Sequence, residues 1–126
     1  YQRVLEEILQ DWMAAADVFE THATPLIALP RYIEAKMDLS RRRPHGSLVW
    51  AIEIMSGAPV MDEVLGTILK QWVERCIATI DGWVAEQQIY AVNGRALSYM
   101  IWATTQHYAD FDRQIVVLND GKALSD

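Results

Sequence analysis

The chain has 126 residues, 52% of them apolar, with 11 basic and 17 acidic side chains for a net charge of -6. That length fits one domain spanning residues 1–126, able to bury roughly two-thirds of the surface its unfolded chain exposes. The acidic balance excludes nucleic-acid binding through this segment, since phosphate contacts need clustered lysine and arginine, and the lack of a run of about 18 apolar residues excludes a membrane-spanning helix.

The first helical segment runs from about Gln2 to Thr21, with Val4, Leu5, Ile8, Leu9, Trp12, Ala16 and Phe19 along one stripe. His22 to Pro25 breaks it. The second segment begins near Pro30, a residue suited to a first helical turn. Ile33, Met37 and Ser40 share a face there, and Pro44 stops the helix. Arg41, Arg42 and Arg43, the only basic run, lie at its end and complement the helix dipole. The third segment, about Gly46 to Ser56, is apolar almost all round and reads as a buried core helix. Gly57-Ala58-Pro59 ends it. The fourth is long, about Val60 to Gln87, with Met61, Leu65, Ile68, Trp72, Cys76, Ile80 and Trp83 inward. Gly66 is placed to bend or interrupt it. Asn93 is a good N-cap for the fifth segment, about Gly94 to Leu118. No segment alternates with period two, so the fold class is all-α, a helical bundle. In the tail NDGKALSD, Gly121 suits a turn, and Ser125 or Asp126 suits the cap of a further helix.

The fifth segment carries two stripes of different character. At about 100° per residue, Leu97, Met100, Ile101, Thr104, Tyr108, Phe111, Ile115 and Leu118 fall on one side. Tyr99, Trp102, Gln106, Ala109 and Arg113 fall on the other. A flat indole and an amide one turn apart suit the lining of a site for a small planar polar ligand. An inward glutamine must find a partner, and its amide both donates and accepts. That partner is either a ligand or another buried protein group. The ligand stripe must face inward, so the apolar stripe, with Met100, Thr104, Tyr108, Phe111 and Ile115, is expected to pack on a symmetry mate in a homodimer.

Catalytic chemistry has no footing here. His22, His45 and His107 are isolated, and no Glu-x-x-His pair exists, so no metal or other cofactor is expected. His107 points away from both stripes. Cys76, the single cysteine, lies on an apolar face and reads as a packed core thiol, which fits a reducing cytoplasm. No phosphate-binding glycine loop or nucleophile elbow is present, and the chain is read as a non-enzyme.

Four blocks carry a resemblance. They are YIEAKMDLSRRRP (Tyr32–Pro44), the SGAP turn (Ser56–Pro59), the Gly82-Trp83 pair, and IWATTQHYADF (Ile101–Phe111) with the preceding Tyr99 and Met100. The match runs across nearly the whole chain, which resembles the ligand-binding and dimerisation domain of TetR-family transcriptional regulators, in particular the YcdC-like branch that governs pyrimidine utilisation. The resemblance implies a bacterial homodimer that binds operator DNA through an N-terminal helix-turn-helix domain, with uracil or thymine as the effector that releases the DNA. It implies that Trp12 and Trp102 flank the pyrimidine ring and that Gln106 hydrogen-bonds its edge, with Thr105 as a further candidate. The helix-turn-helix domain and the final helix of such regulators are expected to lie outside this chain. The competing expectation is a helical dimerisation or interaction module without a small-molecule ligand.

Overall fold

The computed structural model describes residues 1–21 and 24–122. Its helices are α1 (Gln2–Ala15), α2 (Val18–Thr21), α3 (Pro25–Arg42), α4 (Pro44–Met55), α5 (Asp62–Val64), α6 (Lys70–Ala85), α7 (Gly94–Asp110) and α8 (Asp112–Leu118). A π-helical segment, Leu65–Leu69, joins α5 to α6. Helix α7 is central: α3, α4 and α6 all pack against it, and α1 packs on α3 and α4.

The apolar stripe of the first segment is buried from Leu5 onward, with Val4 half-buried, but the helix is divided. It ends at Ala15, and a turn at Ala16 and Asp17 starts the short α2. Ala16 and Phe19 stay buried across the turn. Part of the break read at His22–Pro25, and the cap read at Ser125 or Asp126, lie outside the described residues.

Helix α3 departs from the sequence reading in start and in face. Pro25 occupies its first turn, and Pro30 lies inside it. Pro30 can donate no hydrogen bond to the Leu26 carbonyl, but both residues are exposed, so the loss falls on the water side. The buried face is Ala28, Tyr32, Lys36, Leu39 and Ser40, whereas Ile33 is 40% exposed. Apolarity pointed to the wrong stripe because the inward one carries a phenol and an ammonium. The arginines do lie at the end of the helix. Arg43 also ties it to α1, pairing with Asp11 at 2.7 Å and Glu7 at 3.5 Å.

Helix α4 is not the buried core helix its composition suggests. Its buried side is Gly46, Ser47, Trp50 and Glu53, while Leu48, Ile52, Ile54 and Met55 are exposed. Polar groups with dedicated partners hold the inner side. The Ser47 hydroxyl donates to Asp110 Oδ1 at 2.7 Å. Gly46 allows close packing on α1, since a Cβ there would stand 3.2 Å from Ile8 Cδ1.

The interruption expected at Gly66 is the π segment. Its i→i+5 bonding widens the turn by nearly one residue, so the residue four positions on, not three, returns to the same side. Leu69 therefore packs inward with Leu65, and Ile68 turns out to 56% exposure. Asn93 caps α7 as read, its side chain accepting from Ala96 N at 2.9 Å. The fifth segment breaks at Phe111, whose backbone leaves the helical region before α8.

Two apolar clusters fill the interior. One gathers Phe19, Tyr32, Cys76, Ile80, Trp83 and Ile101. The other gathers Leu5, Ile8, Trp12, Leu39, Trp50 and Met61.

Candidate functional site

A small cavity of about 80 Å³ is lined by residues from both clusters. Four tryptophans line it: Trp12 from α1, Trp50 from α4, Trp72 from α6 and Trp102 from α7. Each arrives by helical periodicity. Trp12 follows Ile8 and Leu9 on the buried stripe of α1, and Trp102 lies beside the buried face of α7 at Ser98, Ile101 and Thr105. Trp12 and Trp50 meet edge to face at 5.3 Å between centroids, and Trp72 lies nearly parallel to Trp102 at 6.5 Å.

Three polar side chains reach this aromatic lining: Tyr32, Lys36 and Gln106. The Trp102 indole N–H donates to the Tyr32 hydroxyl at 3.0 Å. Burial raises the Tyr32 pKa well above its ordinary value, against the opposing effect of that hydrogen bond, so the phenol stays neutral. Lys36 is 2% exposed, and its Nζ sits 4.2 Å from the centroid of the Trp12 ring, a cation–π contact. Burial pushes its pKa down to about 7, with the charge of Asp110 acting in the opposite sense. Gln106 is half-buried at the wall, and its side chain makes no hydrogen bond to another described residue.

Of the four candidate ligand residues, Trp12, Trp102 and Gln106 line this one cavity. Thr105 does not join them. It is buried, and its hydroxyl turns along its own helix to the Ile101 carbonyl at 2.7 Å. Its carbonyl accepts from Ser40 Oγ at 2.7 Å, which makes Thr105 a joint between α7 and α3. A ligand held between Trp12 and Trp102 would also meet Lys36, which occupies one face of Trp12. Sequence reasoning missed Tyr32, Lys36, Trp50 and Trp72 as lining. The available signal was the i, i+4 spacing of Ala28, Tyr32 and Lys36.

The apolar stripe read on the fifth segment divides in two. Ile101 turns into the core, whereas Met100, Thr104, Tyr108 and Phe111 are exposed and Ile115 is half-buried. His107 does not stand apart from this side, because its ring stacks on Phe111 at 4.8 Å. Cys76 is packed among apolar neighbours, and burial raises its thiol pKa to about 11. Among the described residues no helix is long and apolar enough to cross a membrane.

Among the described residues the domain is all-helical, with an aromatic cavity beside its central helix, the architecture of a helical-bundle domain. Residues 5–126 match the family described as YcdC-like protein, C-terminal region, and the chain belongs to that family, a C-terminal region of TetR type. The chain is 39% identical over 127 aligned positions to the HTH-type transcriptional regulator RutR of Escherichia coli strain K12. The RutR proteins of Escherichia coli O157:H7 and Shigella flexneri match at the same identity. Each alignment covers 100% of this chain, and the chain spans 59% of the length of these relatives.

Proposed function

We propose that this domain senses a small planar heterocycle, uracil or thymine, and that occupancy of the tryptophan cavity controls DNA binding by a helix-turn-helix domain of the same protein. The observation that carries this reading is the convergence of Trp12, Trp102 and Gln106 on one cavity. Indole faces suit a flat ring, and an amide suits the alternating C=O and N–H groups of a pyrimidine edge. The relatives are named as HTH-type transcriptional regulators, which supports a regulatory and non-enzymatic role. Under this reading the chain is a single effector-binding and dimerisation domain. Operator DNA is bound elsewhere in the protein, in the cytoplasm, and the net charge of -6 fits a domain that does not touch DNA itself.

The outward side chains Met100, Thr104, Tyr108, Phe111 and Ile115 belong, in this proposal, to a two-fold homodimer interface. The exposed apolar side of α4, with Leu48, Ile52 and Met55, favours a second reading as an interaction module without a ligand. Calorimetric titration with uracil, thymine and a purine separates the two. Binding of the pyrimidines and rejection of the purine is the expected result. No heat with any of them, on folded protein, favours the interaction module.

A further inference from the structure

Lysine is almost never fully buried unless paired, because desolvating an ammonium is costly. Lys36 is nevertheless 2% exposed and lines the cavity. Among the described residues no carboxylate forms an ion pair with it. Asp110 acts on it only through its field, and Asp110 already accepts a hydrogen bond from Ser47. The face of Trp12 is its one direct contact of electrostatic character. Such a residue contributes little to the scaffold, since an apolar side chain of the same length would fill the space without the desolvation cost.

Its neighbour one turn earlier completes the wall. Tyr32 accepts from the Trp102 N–H, which leaves its own hydroxyl proton to donate. An ammonium has three donors and no acceptor. The α3 wall therefore presents hydrogen-bond donors to the cavity, while Gln106 on α7 supplies both a donor and an acceptor.

We infer that Lys36 determines ligand specificity by donating to a ring carbonyl oxygen, so that the cavity accepts keto heterocycles and refuses those with an exocyclic amino group at that position. This rests on the proposed ligand-sensing role of the cavity. An amino group set against the wall brings donor against donor and leaves the buried ammonium without an acceptor. Sites built to hydrogen-bond a group discriminate strongly against analogues that lack it. The depressed pKa agrees with an ammonium that lacks an acceptor until a ligand oxygen arrives.

Uracil and cytosine differ at the C4 group and in the proton on the adjacent N3; they serve as probes because Lys36→Met separates the part of the preference that Lys36 carries from the part read at N3 by other groups. Calorimetric titration of the purified protein at pH 6, where Lys36 is held as the ammonium, is expected to show uracil binding about 100-fold tighter than cytosine. Lys36→Met is expected to melt no lower than wild type, to lose uracil affinity by about 30-fold or more, and to bring the two bases within a few-fold of each other. A K36M protein that is folded and keeps both its uracil affinity and its preference overturns the assignment to Lys36, leaving the sensing role intact. A melting point well below wild type in both K36M and K36Q also overturns it, by making Lys36 part of the scaffold. Absence of any keto-heterocycle binding by wild type removes the inference together with the reading it rests on.

Discussion

Tyr1 donates its phenolic proton to Glu53 Oε1 across 2.6 Å, joining the start of α1 to the last turn of α4. The other carboxylate oxygen accepts from Val60 N at 2.7 Å and Met61 N at 2.9 Å. One fully buried side chain thus fastens the chain's first residue, α4 and the end of the SGAP turn. Glu53→Ala is expected to lower the melting temperature more than Tyr1→Phe, because it leaves two backbone N–H groups and a phenol without their acceptor. Thermal melts of the two variants check the order.

The same carboxylate has a pH signature. Burial raises its pKa, but the hydrogen bonds from Tyr1, Val60 and Met61 outweigh that, and the net shift is downward from 4.5. A depressed carboxyl pKa gives stability that is present above the unfolded value and lost as pH falls through the folded one. Wild type is therefore expected to lose stability below about pH 4.5 more steeply than Glu53→Gln, as urea melts across pH 3 to 6 would show.

Lys36 acts in the opposite pH range. Its pKa of about 7 lies below the ordinary 10.5, so between those values the unfolded chain holds more protons than the native one. Stability is then expected to rise with pH from about 7 toward 10, at up to roughly 1.4 kcal/mol per pH unit. Lys36→Met should flatten this rise. Chemical denaturation at pH 7 and pH 9 measures the difference.

Gln106→Ala is expected to weaken uracil binding by about 1–3 kcal/mol, the range for losing a hydrogen-bond partner. Its side chain bonds no described residue, so the melting temperature without ligand should hardly change. A fall in stability with affinity preserved, measured by calorimetry on the folded fraction, would speak for the interaction module.

Asn93→Ala removes the side-chain acceptor of the Ala96 N–H at the start of α7. The expected loss is about 1 kcal/mol of stability, readable by urea denaturation.

For assembly, Phe111→Glu is expected to weaken the homodimer, since Phe111 is 52% exposed on the outer side of α7 and α8. Sedimentation of wild type and variant tests this. A wild-type monomer, or a dimer unaffected by the change, would remove the two-fold proposal.

The all-helical class, the cap at Asn93 and the interruption near Gly66 were legible because each depends on local chemistry that the residues carry themselves. The inner stripes of α1 and α6 were legible from apolar period, apart from Ile68, whose direction depends on the π turn. Period failed where burial is polar. Lys36 and Tyr32 hold the inner side of α3, and Ser47 and Glu53 hold that of α4, each through partners distant in sequence. An apolar count cannot see such partners, so it grouped Ile33 with Met37 and Ser40 without finding the Tyr32 and Lys36 side, and it mistook the outer side of α4 for core. At the candidate site, Trp102 and Gln106 were recoverable from spacing along one helix. Trp50 and Trp72 were not, because they join the cavity through the packing of α4 and α6 around α7.

The distribution of tryptophans has an optical consequence. Trp12, Trp50, Trp72 and Trp102 line the cavity, while Trp83 is buried beside Phe19 and Ile80 and is not part of its lining. A ring that enters the cavity touches the emitters themselves, displacing water and quenching or shifting their fluorescence, while Trp83 contributes a nearly constant background. Under the proposed sensing role the protein would carry its own unlabelled reporter of occupancy. Replacing Trp83 by Phe would leave a spectrum that comes from the cavity alone.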